Sequence, residues 1–180
     1  GIEIGSNDGT MLQNFKKNKI DCLGFEPSKN VAEYAKKRNL KVKNNFFCFK
    51  EVKKLKKYYK NTDIICAANV ICHIPNLNDV IKSIDFLLNN NGLFIFEEPY
   101  LGAMFDKVSY DQIYDAHIYM FSAHSVKAIF KKKGFDLVNV TPLRTHGGSM
   151  RYTLARNGKF KISNMAVSYT HLTLPTSRSV

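Results

Sequence analysis

Gly5-Ser6-Asn7-Asp8-Gly9 follows the apolar start Ile2-Glu3-Ile4 and runs into an amphipathic stretch from Thr10. A β-branched run, a small polar loop bounded by glycines and a helix start make a strand–turn–helix unit. Such a turn lets a ligand touch the main chain. Glycine lacks the Cβ that would block the approach, and the first helical turn carries unpaired N–H groups. The chain opens inside this unit, with almost no strand ahead of it, and so reads as a fragment of a longer protein.

The same alternation continues. Helical patterns over 10–19, 31–38, 51–60 and 77–88 alternate with strand patterns over 21–25, 40–42, 62–67 and 93–96. Ser28 is placed to cap the second helix, Asn91-Gly92 to end the fourth, and the fourth strand to continue into Asn69-Val70-Ile71. This order predicts an α/β fold: a doubly wound, Rossmann-like sheet, mostly parallel. After Tyr100 the texture changes, and 101–121 hold no clear period. Ser122 is then expected to cap a helix over 123–133 that Gly134 ends. Strands over 135–141 and 150–155, joined by a turn at His146-Gly147-Gly148-Ser149, form an antiparallel pair at the sheet edge. From about Val167 the tail has neither lysine nor core period. It reads as translated cloning sequence and is set aside with its His171. The expected division is a cofactor-binding core over 1–100, truncated at its N-terminus; a substrate-loop region with the closing helix and strands over 101–165; and a non-native tail over 166–180.

Composition excludes some classes. An apolar share of 44% supports a sizeable core, and no apolar run is long enough to span a bilayer. Cys22, Cys48, Cys66 and Cys72 show no Cys-x-x-Cys spacing, which favours buried reduced thiols of a cytoplasmic protein over zinc or disulfides, so no metal is expected. The formal charge of +12 comes from lysine groups on helical stretches, among them Lys36-Lys37-Arg38 and Lys131-Lys132-Lys133. These read as solvated helix faces, and nucleic acid is disfavoured as a partner.

Chemistry concentrates at strand ends. Glu26 closes the second strand, where an acidic side chain can accept both ribose hydroxyl protons of a nucleotide-type cofactor. The loop lacks the middle glycine that close approach to a pyrophosphate requires. The ligand expected is therefore a nucleoside without pyrophosphate.

Six collinear motifs, EIGSNDG (3–9), GFEPSKNVAEYA (24–35), ANVICHIPNLNDV (68–80), EEPYLG (97–102), YDQIYDAHIYMFS (110–122) and HGGSMRYTLAR (146–156), cover most of residues 1–156. They resemble the class I S-adenosylmethionine-dependent methyltransferases, and within them the sugar C-methyltransferases that act on nucleotide-linked deoxy-ketosugars. Full-length members of that group carry a Cys-rich zinc-binding region before this part and a further domain after it.

The resemblance implies S-adenosylmethionine as cofactor and a small sugar-nucleotide substrate. Gly5, Ser6, Asn7 and Gly9, with Glu3 just before them, would line the methionine part, and Glu26 would hold the ribose. Phe46 or Phe47 would stack near adenine or fill the core. Asn69 lies at the carboxyl end of the fourth strand, with His73 on the same loop. His117 would be the general base that removes a proton beside a ketone, and Tyr114 and His73 would hydrogen-bond the developing enolate oxygen. The family pattern reads tyrosine, any residue, glutamate, histidine. Here Ala116 replaces the glutamate. Tyr100, His146, Gly147 and Ser149 would face the substrate, with Arg151 set for a phosphate or carboxylate. Competing readings are an O- or N-methyltransferase for another small metabolite, a nucleic-acid-binding protein, and an inactive fragment.

Overall fold

Alternation along the short first strand decides which face of the sheet each helix covers. The computed structural model describes residues 1–55, 59, 61–109 and 113–171. Its strands are β1 (Ile2–Ile4), β2 (Leu23–Phe25), β3 (Val42–Lys43), β4 (Thr62–Ala68), β5 (Leu88–Pro99), β6 (Phe135–Leu143) and β7 (Ser149–Arg156). They form one seven-stranded sheet in the order β3-β2-β1-β4-β5-β7-β6. β1 to β5 pair in parallel, and β7 runs antiparallel to both β5 and β6. Ile2 and Ile4 join a large cluster with Ile65, Val80, Ile84, Phe96 and Phe130. Glu3 faces the other way, on the side where Leu12, Ala32 and Ala35 pack.

The helices are α1 (Thr10–Lys17), α2 (Lys29–Lys37), α3 (Phe49–Val52), α4 (Leu77–Leu87), α5 (Leu101–Lys107), α6 (Ala123–Lys131) and α7 (Asn164–His171). α1 and α2 bury their small apolar stripes on one face of the sheet; α4 and α6 cover the other. Strand order reverses between β1 and β4, which opens a crevice at their carboxyl ends. In open α/β sheets that is where ligands bind.

The doubly wound sheet and its closing antiparallel pair match the sequence reading. Ser122 caps α6 through a reciprocal capping box with Ser125. Several boundaries differ. The helix expected over 51–60 ends as α3 at Val52. Residues 56–58 and 60 of that expected helix lie outside the described residues. β4 does not extend through Asn69-Val70-Ile71. Asn69 turns to a positive φ of 52°, and a 3-10 turn over Ile71–His73 follows. α4 stops at Leu87 rather than at Asn91-Gly92, because Leu88 packs into the core and already pairs with Thr62. The segment after Tyr100, without a readable period, contains α5. Part of the segment set aside as tail forms α7, whose Ala166 and Thr170 are buried one helical turn apart against β6 and α6. Residues 172–180 lie outside the described residues.

Candidate active site

The loop after β1 is shaped by its own main chain. Gly5, Asn7 and Gly9 all have positive φ, at 67°, 48° and 83°. A Cβ on Gly5 would lie 2.7 Å from Val70 Cγ2, so only glycine lets the loops after β1 and β4 close together. Gly9 turns instead toward the core, where a Cβ would meet Leu40 Cδ1 at 2.3 Å. It serves packing rather than the ligand surface.

Glu26 ties this loop to β2. Its Oε2 accepts from Asn7 N at 3.0 Å and its Oε1 from Ser28 N at 2.8 Å. Asn7 is exposed on the crevice side, while Ser6 and Glu3 are buried beneath. Among the described residues Glu3 Oε2 and Ser6 Oγ have no hydrogen-bond partner. Burial, with the nearby Asp8 charge adding to it, pushes the Glu3 carboxyl up to about 8.

The loop after β4 is held from β5. Glu98 is fully buried, and its Oε1 accepts from Val70 N, Ile71 N and Cys72 N at 3.0, 2.6 and 3.2 Å. Burial raises its carboxyl above the usual range, against the lowering effect of those bonds and of the Cys72 thiol. Glu98 was missed as a site residue in the sequence. Its only signal was its place in the strand-end run Glu97-Glu98-Pro99.

Two histidines meet across this loop. His73 Nδ1 lies 2.6 Å from the Ala116 carbonyl, which can only accept, so Nδ1 carries the proton and Nε2 the lone pair. The His73 and His117 rings are 5.0 Å apart, and Tyr114 Oη is 2.7 Å from His117 Nε2. Ile118 N donates to Cys72 O at 2.9 Å and anchors the incoming segment. The structure thus brings Tyr114, His117 and His73 together.

The substrate-side residues divide. Asn69 Nδ2 donates to His146 Nε2 at 3.3 Å, which joins the ends of β4 and of the β6–β7 turn. Gly147 is exposed, and its carbonyl accepts from Lys107 Nζ at 2.5 Å. Tyr100 N donates to Gly148 O at 3.0 Å, and its half-buried ring packs edge-on to Tyr169. Ser149 is buried, with Oγ donating to Thr145 O, so it shapes the turn rather than meeting a ligand. Arg151 Nε donates to Glu97 Oε1 at 2.5 Å, so its charge is already paired. Of the two phenylalanines, Phe47 fills the core edge-on to Phe25, and Phe46 is 74% exposed.

A glycine loop at the switch point, with an acidic residue ending the next strand, defines a Rossmann-like domain of the class that holds nucleoside cofactors. A family described as methyltransferase domain matches residues 1–140, and the chain belongs to it. The chain is 28% identical over 149 residues to the C-methyltransferase NovU of Streptomyces niveus, covering 83% of this chain and 36% of that protein. It therefore spans about a third of the length of that curated relative. Among solved structures, a SAM-dependent methyltransferase from Archaeoglobus fulgidus superposes with a TM-score of 0.68 at 16% identity, over 79% of this chain and 63% of that one. The plantazolicin methyltransferase BpumL, solved with SAH, superposes at 0.61 and 13% identity, over 86% and 75%. The fold is that of the S-adenosylmethionine-dependent methyltransferases. Among the described residues no helix is long and apolar enough to cross a membrane.

Proposed function

We propose that this chain is the cofactor-binding and catalytic part of an S-adenosylmethionine-dependent methyltransferase that methylates the carbon beside a ketone in a nucleotide-linked deoxysugar. The observation that carries the reading is the Tyr114–His117–His73 cluster, packed on the loop that Gly5 admits against the cofactor loop. The similarity to a C-methyltransferase supports the choice of carbon as acceptor.

The residues fit the cofactor. Two buried polar atoms without partners among the described residues, Glu3 Oε2 and Ser6 Oγ, lie under the glycine loop, and Glu3 would answer the ammonium of the methionine end. Glu26 keeps a second lone pair on each oxygen for ribose hydroxyls. Exposed Phe46, rather than Phe47, is the ring available to adenine. When bound, the cofactor supplies an electrophilic methyl group on a sulfonium.

The chain's residues do the rest. His117 takes the proton from the carbon beside the ketone, which makes that carbon nucleophilic. Tyr114 gives a hydrogen bond where negative charge grows on the ketone oxygen, and His73, whose Nδ1 proton goes to the Ala116 carbonyl, would add a second donor through Nε2 only as the imidazolium. His146 and Gly147 form the wall beyond Asn69. His117→Ala is expected to lower turnover by about 10²–10⁴-fold with S-adenosylmethionine affinity, measured calorimetrically, within twofold. Turnover equal to the parent's would remove His117 from the mechanism.

Ala116, where the family pattern has glutamate, favours a second reading, transfer to oxygen or nitrogen of another small metabolite. Solvent deuterium incorporation beside the ketone separates the two, since only the carbon-acid route exchanges that proton.

A further inference from the structure

Cys72, His73 and His117 each present one ligand atom within 4.8 Å of the other two. The cysteine is buried and both imidazoles above it are half-exposed. Zinc bound by one sulfur and two nitrogens needs bonds of about 2.0–2.3 Å, which these atoms reach after shifts of roughly an ångström. The surroundings also have the form of a metal site. His73 Nδ1 donates to the Ala116 carbonyl, the outer hydrogen bond that aims the other ring nitrogen of a metal-binding histidine. Tyr114 Oη holds the His117 ring through Nε2. Cys72 and His73 are held in place by the loop that Glu98 grips, and Ile118 N and Tyr119 N both donate to Cys72 O, fixing the segment that carries His117 to that loop.

We propose that Cys72, His73 and His117 form a Zn²⁺-class metal site, with a fourth position open to solvent or a small ligand. Binding converts the Cys72 thiol to thiolate and releases its proton to solvent, with no change of oxidation state. Sequence spacing conceals the site because a Cys-His pair meets a histidine from a distant segment. On the functional reading above, occupancy engages His117 and switches methyl transfer off.

Titration with Co²⁺ as an optical probe tests the site without reference to methyl transfer. One equivalent should bind with a thiolate-to-cobalt charge-transfer band, and Zn²⁺ should displace it. His117→Ala and His73→Asn, on partly exposed segments, should each weaken Zn²⁺ binding at least about 100-fold, beyond the loss seen on removing an outer hydrogen-bond partner. Cys72→Ser should abolish the band, whereas Cys48→Ala should keep it. An absent band, a band lost in Cys48→Ala, or affinity within threefold of the parent in His117→Ala would overturn the proposal. Zn²⁺ binding with full methyl transfer would leave the metal site standing and remove His117 from the reaction.

Discussion

Two loops meet at the crevice, and a strand-end carboxylate grips each in a different way. After β1, Glu26 reaches from β2 and accepts one N–H on each oxygen. After β4, Glu98 reaches from β5 and gathers three N–H groups on one oxygen, with the Cys72 thiol beside its carboxyl. Glu26 is also largely buried, at 8% exposure, but both of its bonds are only part-buried at the loop end, where a ligand would share its oxygens. Glu98 is sealed and acts only through the backbone it arranges. A ligand-facing carboxylate should therefore govern affinity, and a sealed one should govern stability and loop geometry.

Substitution at Glu98 tests that contrast with the largest expected effect. Glu98→Ala leaves three buried donors without an acceptor and should cost about 3 kcal/mol in denaturant unfolding, whereas Glu98→Gln keeps a carbonyl oxygen and should cost less than half as much. Equal losses would mean that the ionised form, rather than the hydrogen-bond geometry, matters. Next comes Glu26→Ala, expected to weaken cofactor binding by about 1.5–3 kcal/mol, the range for hydrogen bonds to a charged group. Its unfolding midpoint should move less than that of Glu98→Ala; the reverse order would dissolve the comparison.

The effect that is smallest per pH unit concerns Glu3, beneath the first loop. Its carboxyl sits near 8 in the folded protein against an ordinary value of 4.5. Between those values the unfolded chain loses the proton that the folded chain keeps, so stability should fall as pH rises through that window, by up to about 1.4 kcal/mol per pH unit. Glu3→Gln should flatten the slope. If Glu3 answers the cofactor's ammonium, affinity in the parent should also rise toward pH 8 and lose that dependence in Glu3→Gln.

What was legible in the sequence was local or regularly spaced. Gly5, Glu26 and Ser122 each sit at the turn or cap of a local unit, so their residue types and offsets expose them, although the partners of Gly5 and Glu26, Val70 and Asn7, come from other units. Glu98 needs the register of β5 against β4 before its three partners come into view. Asn69 and His146 meet only because β7 lies beside β5. Phe46 and Phe47 cannot be told apart by type, since the path of the loop between β3 and α3 decides which ring enters the core. α5 stayed hidden because a helix of seven residues is too short to show a period.

The position of β7 has a consequence for how the chain is assembled. β6 is made before β7 yet lies outside it, and it points in the same direction as β5. Until Ser149–Arg156 arrives, the edge of β5, with Phe94 and Phe96 beside it, stays open. β6 is the nearest strand able to pair there, and such a pairing would exclude β7. Completing the sheet therefore requires a gap to be held one strand wide while the chain is synthesised. Exposed strand edges are where folding intermediates aggregate. Refolding yield should thus be more sensitive to protein concentration than native stability alone would indicate.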